Sequence, residues 1–201
     1  MRNYETKLPE GYLPVYQIDA NDKKTIWAFN VASLLLFAVV AVPLFAWIEI
    51  STGKSLYELL DLGIIRYLIL IGVYIAYIFL HELTHGLAYY VLTRHPLTFG
   101  TSRFVAYCGV PNIYVYRKPS LIAVLAPFLT YSILFTLGLV LSVSLAWKVI
   151  WIMAIAVHVG GCVGDLWVAI VLMTRFKGRD QLLVRDIGPK QIFYDKKISH
   201  R

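Results

Sequence analysis

The sequence predicts an all-α polytopic membrane protein of four transmembrane helices, with a small β-hairpin in the cytoplasmic loop between helices two and three. Composition is the first reason: of 201 residues, 59% are hydrophobic and only 15% charged, with a mean hydropathy of +0.66, far too apolar for an ordinary soluble domain. The second is run length. A hydrocarbon core about 30 Å thick needs roughly 20 helical residues, and four apolar runs meet or approach that length. The third is charge placement. With the amino terminus inside, 16 of the 19 Lys and Arg residues fall on inner segments, and only Lys54, Arg66 and Lys148 fall elsewhere.

Residues 1–24 are polar, contain Pro9 and Pro14, and carry Arg2, Lys7, Lys23 and Lys24. They lack the apolar core of a cleaved signal, so the first span, 25–48, is expected to remain in the mature protein. The outer loop that follows has a turn signal at Ser51-Thr52-Gly53, and the second span covers 64–93. In the loop 94–119, Phe104-Val105-Ala106-Tyr107 and Ile113-Tyr114-Val115-Tyr116 flank Cys108-Gly109-Val110-Pro111-Asn112. Two β-favouring runs around a Gly/Pro/Asn turn read as a hairpin. The third span, 120–146, contains Pro127, which removes one backbone donor and leaves a carbonyl near Ala123 without its usual partner. A kink follows from that, and the freed backbone can line a cavity. The connection at Trp147-Lys148 is so short that the fourth span, 149–174, pairs antiparallel with the third.

The tail 175–201 carries eight basic residues. Their placement sets topology and lipid headgroup contact, with both termini cytoplasmic, and nucleic acid is not a partner. No repeat is visible, and no stretch outside the spans is long enough for a separate folded domain, so residues 1–201 read as a single membrane-embedded domain. Cys108 and Cys162 lack CxxC spacing and give no disulfide framework. Oligomeric state is not encoded in any pattern found.

The second span carries His81-Glu82-Leu83-Thr84-His85. Four residues apart on a helix, the two histidines share a face and can aim at one ion. This is the HExxH arrangement: two neutral imidazoles bind zinc, and the carboxylate takes a proton from the water that attacks a scissile carbonyl. Polar groups inside a span cost on the order of 3 kcal/mol each, and three occur within five residues, so they must face protein or water. Metal binding explains the cluster most economically.

Two histidines leave the site incomplete. The interiors of spans one and three hold no Asp, Glu, His or Cys, whereas span four holds His158, Cys162 and Asp165. Depth separates these candidates. His85 lies eight residues before position 93 and Asp165 nine before 174, which places both roughly 12–14 Å inside the cytoplasmic surface. Asp165 is therefore the expected third ligand, with the fourth position left to water; the alternative is a partner that orients His81 or His85. His158, seven residues earlier on nearly the same face, reads as a neighbour of the site or a satisfied core histidine, and Cys162 as a small apolar side chain. Gly160 and Gly164, spaced as GxxxG, are expected to let span four approach span two.

An HExxH within one span, followed by an aspartate at similar depth in a later one, resembles the site-2 protease class of intramembrane zinc metallopeptidases. The compact length, the His81-Glu82-Leu83-Thr84-His85-Gly86-Leu87 run and the Gly164-Asp165-Leu166 ending are most similar to DUF3267, a bacterial family of small zincin-type peptidases. The chain departs from the site-2 class in carrying Gly160-Gly161-Cys162-Val163-Gly164-Asp165-Leu166 where that class has an Asn-rich, Pro-containing segment ending in Leu-Asp-Gly. The resemblance implies zinc at His81, His85 and Asp165, Glu82 as general base, and a bacterial cell membrane. It also implies a strand near the site that pairs with an unwound substrate, a role open to the hairpin.

The expected function is zinc-dependent endopeptidase activity within or beside the membrane, on a membrane protein or peptide substrate, with the site toward the cytoplasm. The alternative is a zinc-binding membrane protein that does not cut.

Overall fold

The computed structural model describes residues 3–102 and 105–196. It is mostly helical, because in lipid an apolar segment must satisfy its own backbone N–H and C=O groups, and a helix does so locally. The helices are α1 (Lys23–Thr52), α2 (Leu56–Leu60), α3 (Ile64–Thr93), α4 (Arg117–Leu141), α5 (Leu145–Gly161) and α6 (Val163–Met173). Among the described residues, α1, α3 and α4 are each long and apolar enough to cross a membrane; α5 and α6, bent by 50° at their junction, pass the same test together as a broken span or a re-entrant loop. The single helix expected over 149–174 is thus interrupted. Cys162 closes α5 at φ −80° and ψ 8°, just after Gly160 and Gly161, where two successive glycines weaken helical preference. The short α2 in the outer loop is fixed by a capping box: Ser55 Oγ accepts from the Glu58 N–H, and the Glu58 carboxylate accepts from the Ser55 N–H at 2.8 Å.

The chain forms two compact units. One gathers residues 28–78 and 128–163. Its core includes Ile48, Leu59, Val149, Ile152 and Ala156, while Leu34, Leu35 and Val39 of α1 are more than 60% exposed. Large apolar side chains left on the outside of a helix are the pattern expected where lipid is the solvent. Gly160 belongs here, and its role differs from the expected approach to span two. A Cβ at Gly160 would lie 2.8 Å from the Ser33 carbonyl oxygen, and Ser33 Oγ donates to the Gly160 carbonyl at 2.7 Å. The missing side chain lets α5 touch α1.

The other unit gathers residues 1–27, 79–127 and 164–201, and it corrects the all-α expectation. Strands β1 (Tyr4–Glu5), β2 (Tyr12–Asp19), β3 (Thr98–Ser102), β4 (Val105–Gly109), β5 (Tyr114–Tyr116), β6 (Leu183–Asp186) and β7 (Lys190–Lys196) form two antiparallel sheets. Five of them order as β1-β5-β6-β7-β2, with Tyr4 opposite Val115, Val115 opposite Val184, and Tyr16 opposite Phe193. The segments that read as polar tails therefore combine into one sheet.

A hairpin does form in the loop after α3, but with other partners than expected. β4 pairs with β3, from Thr98 opposite Gly109 to Ser102 opposite Val105, while β5 joins the larger sheet. Of the stretch expected as the turn, Cys108, Gly109 and Val110 are buried while Asn112 is exposed; Val110, and Ile113 of the expected second strand, each 1% exposed, pack with Tyr89, Val115 and Ala123. The Val110 N–H donates to the Asp186 carbonyl at 3.1 Å. A local turn does form, the Ile113 N–H donating to the Val110 carbonyl at 3.3 Å, but it leads from β4 into β5 of the larger sheet instead of closing a hairpin. Phe104, within the expected first strand, lies outside the described residues, as do Arg2, Arg103 and the last basic residues of the tail.

Candidate metal centre

No proline interrupts α3, so the four-residue spacing becomes a shared direction: the His81 and His85 ring centroids are 5.0 Å apart. Both rings aim their Nε2 atoms at one carboxylate. His81 Nε2 lies 3.1 Å from Asp165 Oδ2, and His85 Nε2 lies 3.2 Å from Asp165 Oδ1. The three residues each offer one ligand atom, and those atoms lie within 4.8 Å of one another. A tetrahedral zinc ion with bonds of 2.0–2.1 Å separates its ligand atoms by about 3.3 Å. The donor set and the spacing both fit that ion. The imidazole side chains are 11% and 7% exposed and the Asp165 side chain 22%, so the cluster is enclosed yet reachable from its carboxylate edge.

The helix break positions Asp165. It stands in the first turn of α6, where unpaired N–H groups and the helix dipole favour a negative charge. An unbroken helix would have placed it mid-span without that help.

Two contacts around the cluster involve backbone that no motif names, and a third depends on a glycine. His85 Nδ1 lies 2.9 Å from the Ala123 carbonyl oxygen of α4. A carbonyl only accepts, so Nδ1 carries a hydrogen and Nε2 is the ring atom left to face Asp165. The Cys108 backbone N–H of β4 approaches the Glu82 carboxyl, which is half-buried one position after His81 on α3. Gly86, directly after His85, admits the hairpin: a Cβ there would lie 3.0 Å from Cys108 Sγ, Leu97 Cδ1 and Phe99 Cζ alike. Burial, reinforced by the charges of Asp186 and Glu82, pushes the Cys108 thiol up to about 12, so it packs as a small apolar group.

One helical turn beyond His85, Tyr89 donates its hydroxyl to Asp186 Oδ2 at 2.8 Å; both are buried. Asp186 also accepts from the Gly188 N–H at 2.9 Å, and burial raises its carboxyl to about 6. Sequence reading missed Asp186. Nothing in an isolated β6 indicates that its last residue meets α3, 97 positions away.

His158 is fully buried in the first unit described, with Nδ1 2.6 Å from Tyr77 Oη and Nε2 3.1 Å from the Phe128 carbonyl oxygen. Nε2 therefore carries the hydrogen and Nδ1 accepts from the tyrosine. Cys162 Sγ lies 3.5 Å from the same Nδ1. Both ring nitrogens are satisfied by neighbours on α3 and α4.

No curated protein and no solved structure matches the chain. A family model does, over residues 74–179, just over half of the sequence and the part that holds His81, Glu82, His85, Ala123, Pro127, His158 and Asp165. Its description is "Putative zincin peptidase", and a zincin implies a bound metal of the kind this cluster fits. By that match the chain belongs to the DUF3267 family.

Proposed function

We propose that this protein is a zinc-dependent endopeptidase that cleaves a membrane protein or peptide at or within the bilayer. The observation that carries the reading is the convergence of His81 Nε2 and His85 Nε2 on the two oxygens of Asp165, at 3.1 and 3.2 Å. His81, His85 and Asp165 would hold the ion, leaving a fourth position open. Zinc, when bound, acidifies water and polarises a carbonyl. Glu82 then serves as the base: its carboxylate takes a proton from the attacking water and delivers it to the leaving amine nitrogen. The Cys108 N–H that approaches this carboxylate can orient it while leaving lone pairs for the proton.

The β3–β4 hairpin supports an endopeptidase over a closed structural site. It is a two-stranded sheet packed against α3 at Gly86, and the edge of β3 that faces away from β4 can pair with an extended peptide. A helical substrate must unwind before its carbonyl is reachable, and pairing stabilises the unwound form. The placement of basic residues favours cytoplasmic termini and a site under the cytoplasmic leaflet.

The test compares the membrane proteome of cells producing the wild type or Glu82→Gln, together with the metal content of both purified proteins. The expected outcome is a protein that accumulates uncut with the variant, turnover reduced by about 10²–10⁴-fold, and zinc content unchanged. Undiminished cleavage overturns Glu82 as base. Stoichiometric zinc with no uncut protein and no turnover in either sample favours a zinc-binding protein that does not cut.

A further inference from the structure

The carbonyl that orients His85 is one that a proline has released. In a regular helix each N–H donates to the carbonyl four residues earlier, so the donor to Ala123 would be the N–H of residue 127. That residue is Pro127, inside α4, and it has no N–H. The Ala123 carbonyl oxygen is left without its helical partner, and His85 Nδ1 takes it at 2.9 Å. His85 is 6% exposed and Ala123 fully buried, so the pair is withdrawn from bulk water.

We propose that Pro127 is a positioning residue for the metal centre: by deleting one backbone donor it presents the Ala123 carbonyl to His85, which fixes the tautomer and aim of that ligand. The proposal rests on the zinc reading above and deepens it. Metal-bound imidazoles commonly donate their other N–H to a carboxylate or carbonyl, and loss of that partner costs about 10–100-fold in metal affinity. Here the partner lies on a different helix, and in an uninterrupted helix its carbonyl would already be engaged. A residue with an N–H at position 127 restores the intrahelical donor, which competes with His85 for one oxygen. His85 then loses the bond that holds Nε2 toward Asp165.

The test measures zinc dissociation constants by chelator competition on the full-length purified protein, with the thermal midpoint of the metal-free form as a structural readout. Pro127→Ala restores the N–H; Pro127→lactate, a backbone ester introduced by nonsense suppression, removes the ring but supplies no N–H. The expected result is zinc affinity about 10–100-fold weaker for Pro127→Ala and within about threefold of wild type for the ester, even though both lose the ring. Equal affinity for wild type and Pro127→Ala overturns the proposal, as does equal weakening in both variants, which would assign the effect to the shape of the kink. If Pro127→Ala does not fold, Val124→2-hydroxyisovalerate decides: it turns the Ala123 carbonyl into an ester, a weaker acceptor. Weaker zinc binding then supports the proposal, and unchanged binding overturns it. A wild type that binds no zinc overturns the metal reading itself, and this one with it; zinc held equally by all variants overturns only this one.

Discussion

At the scale of single residues, the site depends on converting spacing into direction. His81, Glu82 and His85 were legible because the helix over 64–93 is continuous through the motif, so four positions equal one turn. Asp165 was legible for a more accidental reason. Its depth was counted from the cytoplasmic end of span four, and α6 is helical over that stretch. The expectation that His158 shares a face with Asp165 needed an unbroken helix, and Cys162 interrupts it. What the sequence could not show were partners contributed by backbone: the Ala123 carbonyl on His85 and the Cys108 N–H on Glu82. Only Pro127 hinted at the first. Gly86 gives a prediction at this scale. Gly86→Ala must push aside three side-chain ends at 3.0 Å, so the hairpin shifts while the ligands on α3 stay. Cleavage should fall by at least about tenfold with zinc affinity within about threefold of wild type, since a 1 Å misplacement alone can cost about 10² in rate. Loss of zinc in parallel with activity would place Gly86 in the packing of the ligands instead.

At the scale of elements, the membrane helices were readable from apolar run length, whereas the sheet was not. Strand pairing is decided by contacts far apart in the chain, such as Tyr4 with Val115 and Tyr16 with Phe193, and each short strand taken alone resembles a polar tail. The loop hairpin was misassigned for a related reason: β-favouring residues mark strands, but Val110 and Ile113 are claimed by the core beneath them. The link between the sheet and the helix that carries His81 and His85 runs through Asp186 and Tyr89, and it should be sensitive to pH. Burial raises the Asp186 carboxyl from its ordinary 3.8 to about 6, so between those values the folded state keeps a proton that the unfolded chain has released. Stability contributed by this group is therefore present at low pH and falls as pH rises through that window. Thermal melts of wild type and Asp186→Asn across pH 4–7 should differ by that slope, with the variant losing less stability as pH rises. Parallel curves would show that Asp186 does not titrate there.

At the scale of the whole molecule, the orientation proposed for the chain rests on charge placement. The basic residues near α1, in the loop after α3 and beyond α6 favour the cytoplasm, while the α2 loop carries Lys54 alone. Labelling intact cells with a membrane-impermeant maleimide tests this, because Cys108 and Cys162 are buried and give little background. Tyr57→Cys, 85% exposed beside the capping box, should label in intact cells; Lys7→Cys and Lys177→Cys should label only after lysis. The opposite pattern would invert the topology and place the site under the outer leaflet.

The metal centre itself is tested most directly by zinc-edge X-ray absorption on the purified full-length protein. The expected spectrum contains stoichiometric zinc with four nitrogen or oxygen neighbours at about 2.0–2.1 Å, two of them showing imidazole scattering, and no sulfur. Absence of zinc, or a sulfur neighbour at about 2.3 Å, would contradict binding by His81, His85 and Asp165.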